Sequence, residues 1–447
     1  LLRAPEAVAI FGDDAELVPR SLAALSSEMM AAAQRHDDDA EAGVTAVRSI
    51  RRRELLRIAA GDTCWPGEMV SPGGATPAGP RRTTPAGPGG TTPARPRPLT
   101  GGLPAPPSPP SPLGGDRSPQ AHLTATAEAL TDLTRAALET ALDVATRKVS
   151  AELRCPLPTR LAVIAMGRFG GHECGYGSDA DVLFVHDPRP GQPEREASDA
   201  AHAVAAELRR LLALPVPDPA LVVDADLRPE GRQGPLVRTL AAYRAYYRRW
   251  SAPWEAQALL RAEPAAGDAE LGARFIQMIA EFRYPAGGVE ATAVREIRRI
   301  KARMEAERIP RGADRALHVK LGPGGLSDVE WTIQLLQLQH AHALPGLRTT
   351  RTGEAMAAAV QEGLLSAGDA AALMAAWELA ARIRNAIVLV GGFGVRPGDT
   401  LPARHGELTA VARLLGYPPG DAAQALEQDY RRAARRARTV MEPLFYG

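Results

Sequence analysis

Apolar residues recur at helical spacing along much of the chain, and in three places the pattern contracts into short continuous runs. "SLAALSSEMMAAAQRH" and "AVRSIRRRELLRIAAGD" carry apolar positions three and four apart and predict helices between Glu16 and Ala60. A long amphipathic helix is expected from about Ala121, over "LTATAEALTDLTRAALETALDVATRKVSAEL". "LAVIAM" (Leu161–Met166) and "DVLFVHD" (Asp181–Asp187) are short enough to be buried strands, and "ALVVDADLRP" offers a third strand ending at Pro229. With the helical "HAVAAELRRLLAL" between the last two, the order is strand, glycine loop, strand, helix, strand, which predicts a small α/β unit. Beyond Thr239 the whole chain reads as helix, including "AAYRAYYRRWSAPWEAQALL", "VREIRRIKARMEAER" and "DVEWTIQLLQLQHA".

One stretch breaks the pattern. Between Pro66 and Pro119 "TPAGP" begins at Thr76 and again at Thr84, and "TPARP" begins at Thr92. Proline removes donors and glycine raises the entropy of ordering, so this segment reads as a disordered linker. The domain expectation is therefore a helical connecting region over 1–63, a Pro/Gly-rich linker over 64–119, an α/β catalytic domain with a small mixed sheet over 120–290, and an all-α bundle over 291–447. A chain of 447 residues is long enough for two or three such units.

Composition adds exclusions. A net charge of +1 gives no overall electrostatic case for nucleic acid or an anionic membrane. No apolar run approaches the roughly 20 residues a spanning helix needs. Three cysteines, Cys64, Cys155 and Cys174, without a CxxC pair argue against a disulfide framework or structural zinc and fit a reducing cytoplasm. The opening "LLRAPEAVAIFG" reads as the interior of a longer polypeptide.

The chemistry concentrates in "MGRFGGHECGYGSDADVLFVHD" (Met166–Asp187). Asp179 and Asp181 are one residue apart at the mouth of a strand, so alternation places both carboxylates on one face. Two like charges that close resist ionising together, and a divalent cation removes the conflict. Magnesium prefers a few carboxylates completed by phosphate oxygens, and two ions about 4 Å apart can clamp the attacking and leaving oxygens at phosphorus. A third carboxylate is expected on a neighbouring strand. Asp224, directly after the apolar residues, is preferred over Asp226, which shares its face. Gly167, Gly170, Gly171, Gly175 and Gly177 would let backbone approach a ligand, Ser178 adds a hydroxyl, and Arg168 and Arg228 are candidate phosphate contacts. The chain lacks GxxxxGK[ST], and "GYGSD" and "HECGY" match neither GxSxG nor HExxH.

Gly167 leading to Ser178-Asp179-x-Asp181 resembles the polymerase-β-like nucleotidyltransferase superfamily, with Arg168 standing where that superfamily usually has Gly or Ser. Five blocks in order resemble glutamine synthetase adenylyltransferase: the loop above, "VDADLRPEGRQGPLVRTLAAYRAYYRRW", "WEAQALLRAEPAAGD", "IKARMEAERIPRGAD" and "KLGPGGLSDVEWTIQLLQLQHA". The resemblance implies two related heads, one adding AMP from ATP to a tyrosine of the synthetase and the other removing it by phosphorolysis. "GGLSDVEW" and the terminal "RRARTVMEPLFYG" are similar to the second, adenylylating head. It implies Asp179, Asp181 and Asp224 as metal ligands and catalytic residues, two Mg²⁺ ions, ATP as substrate, glutamine synthetase as partner and a PII-type nitrogen-signalling protein as a further partner. Ala256 and Glu263 depart from the family pattern, as does the proline-rich insert. The rival readings are AMP removal and a catalytically silent binding module.

Other residues have blander expectations. Arg51–Arg53 reads as a solvated helix face, and Arg295, Arg298, Arg299, Lys301 and Arg303 as a solvated amphipathic helix bordering the cleft. Trp250, Trp254 and Trp331 are expected in the core. Ser327 or Asp328 would cap a helix after "GPGG". His172 and His318 lack metal-ligand spacing.

Overall fold

The computed structural model describes residues 10, 12–63, 119–392 and 398–447. The predicted linker, and Cys64 within it, lie outside the described residues. The described helices of the connecting region are α1 (Leu22–Gln34) and α2 (Ala40–Thr63), and the long α3 (Pro119–Leu153) follows.

Next come β1 (Thr159–Ala165), the single turn α4 (Gly167–Gly170), β2 (Ala180–Pro188), α5 (Glu194–Leu212) and β3 (Val223–Asp224). The unit closes with β4 (Val237–Thr239), α6 (Leu240–Trp250), α7 (Pro253–Leu259), β5 (Glu263–Gly267) and α8 (Ala269–Arg283). β1 pairs antiparallel with both β2 and β5, while β3 and β4 lie parallel along the far edge of β2. The sheet is therefore mixed and small.

Strand alternation sorts the sheet's side chains to two cores. Leu161, Val163, Val182 and Phe184 pack with α3 and α5 in a cluster that also takes Leu25, Met29, Val44 and Val47 from α1 and α2. Ala162, Ile164, Leu183 and Val185 face the other way, onto Tyr243, Leu271 and Phe275 of α6 and α8. Both faces are covered, which is why the strands read as unbroken apolar runs.

Two expectations fail between Thr239 and Arg283. The predicted single helix over 242–260 is broken at Ser251 and Ala252, because the residue before a proline is pushed out of the helical region and Pro253 opens a new helix. And "EPAAG" is strand β5 rather than helix, joined to β1 with a register shift between Val163 and Ile164.

The C-terminal half is helical: α9 (Ala291–Arg308), α10 (Leu326–His340), α11 (Thr352–Gln361), α12 (Ala367–Gly391), α13 (His405–Leu414) and α14 (Ala422–Met441). Leu326, Val329, Leu373, Trp377, Val411, Leu426 and Tyr430 share its core. Lys301 on α9 is fully buried instead of solvated: it pairs with Asp328 and Glu305, and Asp328 also binds Arg438 at 3.0 Å and accepts from Gly324 N at 2.7 Å. Asp328 thus ties α9, α10 and α14 together instead of serving as a helix cap. Trp250 is 64% exposed at the end of α6, against the expectation of core packing. No described helix is long and apolar enough to cross a membrane.

Candidate active site

The carboxylates meet at the end of the sheet where β2 begins. Asp181 is paired in register with Asp224 across the parallel β2–β3 ladder. Directly paired residues on adjacent strands point to one face, with their backbones about 4.8 Å apart. Asp179 precedes β2 and is exposed, while Asp181 and Asp224 are half-buried. Asp224 Oδ1 accepts from Asp226 N at 2.7 Å, which fixes that carboxylate at the turn leaving β3. Asp226 turns instead to Arg232, at 2.6 Å.

The electrostatics show how crowded this end is. Burial and then the negative charge of Asp224, reinforced by Asp179 and Asp226, push the Asp181 carboxyl up to about 7, and Lys320 opposes them. Two hard oxygen donors on neighbouring strands, in a repulsive cluster that a cation would relieve, suit a divalent ion. Among the described residues no three carboxylate, imidazole or thiol groups form a closed metal site. Magnesium requires none, since one or two carboxylates with water and substrate phosphates fill its octahedron.

Gly167 shows how the loop is built around Asp181. Its φ is +54°, and a Cβ there would sit 2.4 Å from Asp181 Oδ2. Gly170 and Gly171 have a different duty from the expected ligand approach. A Cβ on either would strike Arg261, at its carbonyl oxygen (1.8 Å) or its guanidinium Nη1 (2.1 Å), so these glycines admit the protein's own chain. Gly177 is exposed at the mouth of the loop. Ser178 Oγ accepts from Gly175 N at 2.8 Å and closes the turn before Asp179.

The two arginines expected on phosphate are occupied otherwise. Arg228 is buried and donates Nε to Gly234 O (3.0 Å), Nη1 to Ala225 O (2.8 Å) and Nη2 to Arg232 O (3.1 Å), so it braces the stretch between β3 and β4. Arg168 donates Nε to Glu173 O at 2.8 Å and lies 3.6 Å from Glu330 of α10. Burial, and then nearby Arg384, lower its pKa against the pull of Glu330.

Sequence reasoning missed several residues here. Glu173 is buried, pairs with Arg261 and accepts from Thr352 N at 2.7 Å, which locks the glycine loop to the start of α11. Lys320, just before the turn into α10, is exposed by surface area yet stands in a walled cleft where desolvation and Arg384 lower its pKa. It is a cation that bears directly on Asp181. The block "KLGPGGLSDVEW" marked the neighbourhood, but nothing local says that its lysine faces the aspartates. His172, half-buried, bonds Glu263 Oε2 at 2.8 Å, so the departure at Glu263 is a local partnership at the start of β5. His318 is buried with Nδ1 accepting from Leu321 N at 3.0 Å. Arg51, expected in solvent, is buried against the stretch before β3.

Comparison with known proteins agrees with this geometry. Residues 116–278 match the family model described as glutamate-ammonia ligase adenylyltransferase, and residues 298–445 match that of GlnD PII-uridylyltransferase. Over 448 residues the chain is 54% identical to a bifunctional glutamine synthetase adenylyltransferase/adenylyl-removing enzyme from Streptomyces coelicolor, covering all of this chain and 40% of that protein. Proteins of the same name from Streptomyces avermitilis and Nocardia farcinica are 53% and 44% identical, again over the whole chain and over 40% and 39% of their own lengths. The chain spans about two fifths of the curated relatives it matches.

Proposed function

The chain belongs to the glutamate-ammonia ligase adenylyltransferase family, and from that premise we propose that it transfers AMP from ATP to a tyrosine hydroxyl of glutamine synthetase. The observation that carries this reading is the in-register pair Asp181–Asp224, with Asp179 at the mouth of the same strand. In the reaction the tyrosine oxygen forms a bond to the α-phosphorus, the bond to the β-phosphate bridging oxygen breaks, and pyrophosphate leaves. The tyrosine proton passes to the acceptor side of the cleft, where Asp224 is the fixed carboxylate.

Asp179, Asp181 and Asp224 would hold Mg²⁺, which when bound supplies neutralisation of the triphosphate charge. The chain's own part is positioning. Gly167 leaves room for the Asp181 carboxylate, Ser178 holds the turn before Asp179, and Lys320 presents a positive charge from the helical half to the phosphates. Arg168 and Arg228 hold the frame rather than the substrate.

AMP removal with phosphate as the nucleophile uses the same bond and the same carboxylates, and the bifunctional names of the relatives keep it as a second reading. The match of residues 298–445 to a PII-uridylyltransferase model supports a PII-type protein as a partner of the helical half. Mass spectrometry of glutamine synthetase after incubation with this chain, ATP and Mg²⁺ tests the main reading: an AMP adduct on a tyrosine is expected. Loss of AMP from pre-adenylylated synthetase with phosphate, and no adduct in the forward assay, would instead establish the removing activity. Neither reaction, together with no binding of Mg²⁺–ATP, would leave the silent module.

A further inference from the structure

Helix α2 lies outside the sheet, yet it grips both segments that present the carboxylates. Near its C-terminal end Asp62 Oδ2 accepts from Tyr176 Oη at 3.0 Å, and Tyr176 stands three residues before Asp179 in the glycine loop. The other oxygen, Oδ1, accepts from His122 Nε2 at 2.8 Å and from Thr126 Oγ1 at 3.4 Å, so α3 holds Asp62 in place. About 20 Å earlier along α2, by the helical rise, Arg48 donates Nη1 to Leu214 O at 2.5 Å and Nη2 to Asp218 O. Arg52 pairs with the Asp218 carboxylate at 2.5 Å. Those carbonyls lie in the stretch between α5 and β3, five to ten residues before Asp224.

These grips are more polar than packing alone requires. Arg48 is 1% exposed and Tyr176 is 4% exposed. Burying a guanidinium costs desolvation that its bonds only offset, and an apolar side chain would fill the same space with less penalty. What directed polar bonds add is fixed geometry. Here they fix two loops whose relative position sets the spacing of Asp179 and Asp181 from Asp224.

We propose that α2 is a positioning element of the carboxylate site, with Asp62 acting through Tyr176 on the loop of Ser178 and Asp179, and Arg48 acting through the 214–219 stretch on Asp224. The inference rests on the nucleotidyl-transfer reading for its catalytic consequence, but not for its structural one. It assigns to the connecting region a direct hold on the active site, so that whatever displaces α2 displaces the carboxylates.

The test uses the whole 447-residue chain with Asp62→Ala, Tyr176→Phe, the pair combined, and Asp62→Asn, which keeps an acceptor for the tyrosine. Hydrogen exchange of the amides at 175–181 is expected to speed up about tenfold or more in the first two variants, with β1 amides unchanged. The Mg²⁺ concentration for half-maximal AMP transfer should rise and kcat should fall about tenfold, while KM for ATP stays within about twofold. The double variant should be no worse than the worse single, and Asp62→Asn should recover part of the loss. Loop amides that exchange at the parent rate in both single variants would overturn the proposal, as would losses spread equally over the loop and β1. If the parent chain transfers no AMP in either direction, the functional reading fails, and the exchange data still decide whether Asp62 holds the loop.

Discussion

Asp181 and Asp224 stand opposite one another across the parallel β2–β3 ladder, with Ala180 beside Val223 holding the register. The structure therefore sets two carboxylates side by side at a sheet end, where each raises the cost of ionising the other. Such an arrangement is selected for binding a cation rather than for stability. Asp181→Asn and Asp224→Asn should each lower kcat for AMP transfer by about 10²–10³-fold, the scale of removing one preorganised electrostatic contact. Both should also raise the melting temperature measured without metal, because a like-charge contact is relieved. Steady-state kinetics and thermal melts in chelator check the two halves of the prediction, and unchanged kcat in either variant would refute the site.

Lys320 opposes that cluster from the helical half. A charge-assisted contact to phosphate is worth about 1.5–3 kcal/mol, or roughly 10- to 100-fold in kcat/KM for ATP. Lys320→Met should show that loss, and Lys320→Arg, which keeps the charge but not its point geometry, should recover only part of it. Because the side chain is exposed, neither change should alter the melting temperature by more than a few degrees. A methionine variant with parental kcat/KM would remove Lys320 from the site.

His186 gives the sheet an acid-sensitive point. It is 1% exposed on β2, bonded to Thr159 Oγ1 at 3.1 Å, and burial followed by His202 drives its pKa down to about 4, with Asp187 pulling the other way. The unfolded chain takes up this proton near 6.5 and the folded chain only near 4. Between those values the unfolded state binds more protons, so stability must fall as pH falls, by up to about 3 kcal/mol once both have titrated. Denaturant melts from pH 7 to pH 4 should show that decline, and His186→Gln should flatten its part of the curve. Glu207, held by Arg210 and Lys148 with its pKa lowered to about 2, adds a separate loss that starts only below its unfolded value of 4.5.

The legible parts of the molecule were those whose reason lies in the residues themselves. β1 and β2 are buried on both faces, so their sequences are continuous apolar runs, and Asp179, Asp181 and Asp224 are polar residues placed where such runs begin or end. β5 was illegible because "EPAAG" has a proline, a glycine and no β-branched or aromatic residue; pairing with β1 makes it a strand. Arg51 and Lys301 looked like surface charges because helical periodicity cannot show which neighbour will cover a basic residue. Arg168 and Arg228 looked like phosphate ligands because an arginine beside a glycine turn serves backbone carbonyls as readily as phosphate oxygens. Lys320 and Asp62 act on the loop from more than fifty residues away in sequence, and only the fold brings them there.

The buried network around Asp328 separates stability from chemistry. Asp328 is 1% exposed and Lys301 is fully buried; their pair, with Arg438 at 3.0 Å, joins three helices of the C-terminal half. Removing one partner strands a charge where water cannot reach it. Asp328→Asn should therefore destabilise the fold by about 3–5 kcal/mol, the usual cost of breaking a buried pair. Removing both charges, as in Asp328→Asn with Lys301→Met, should restore much of that loss, since no buried ion is left without a partner. Chemical denaturation of the two variants measures the difference. A single variant as stable as the parent, or a double variant worse than the single, would show that the network is not what holds α9, α10 and α14 together.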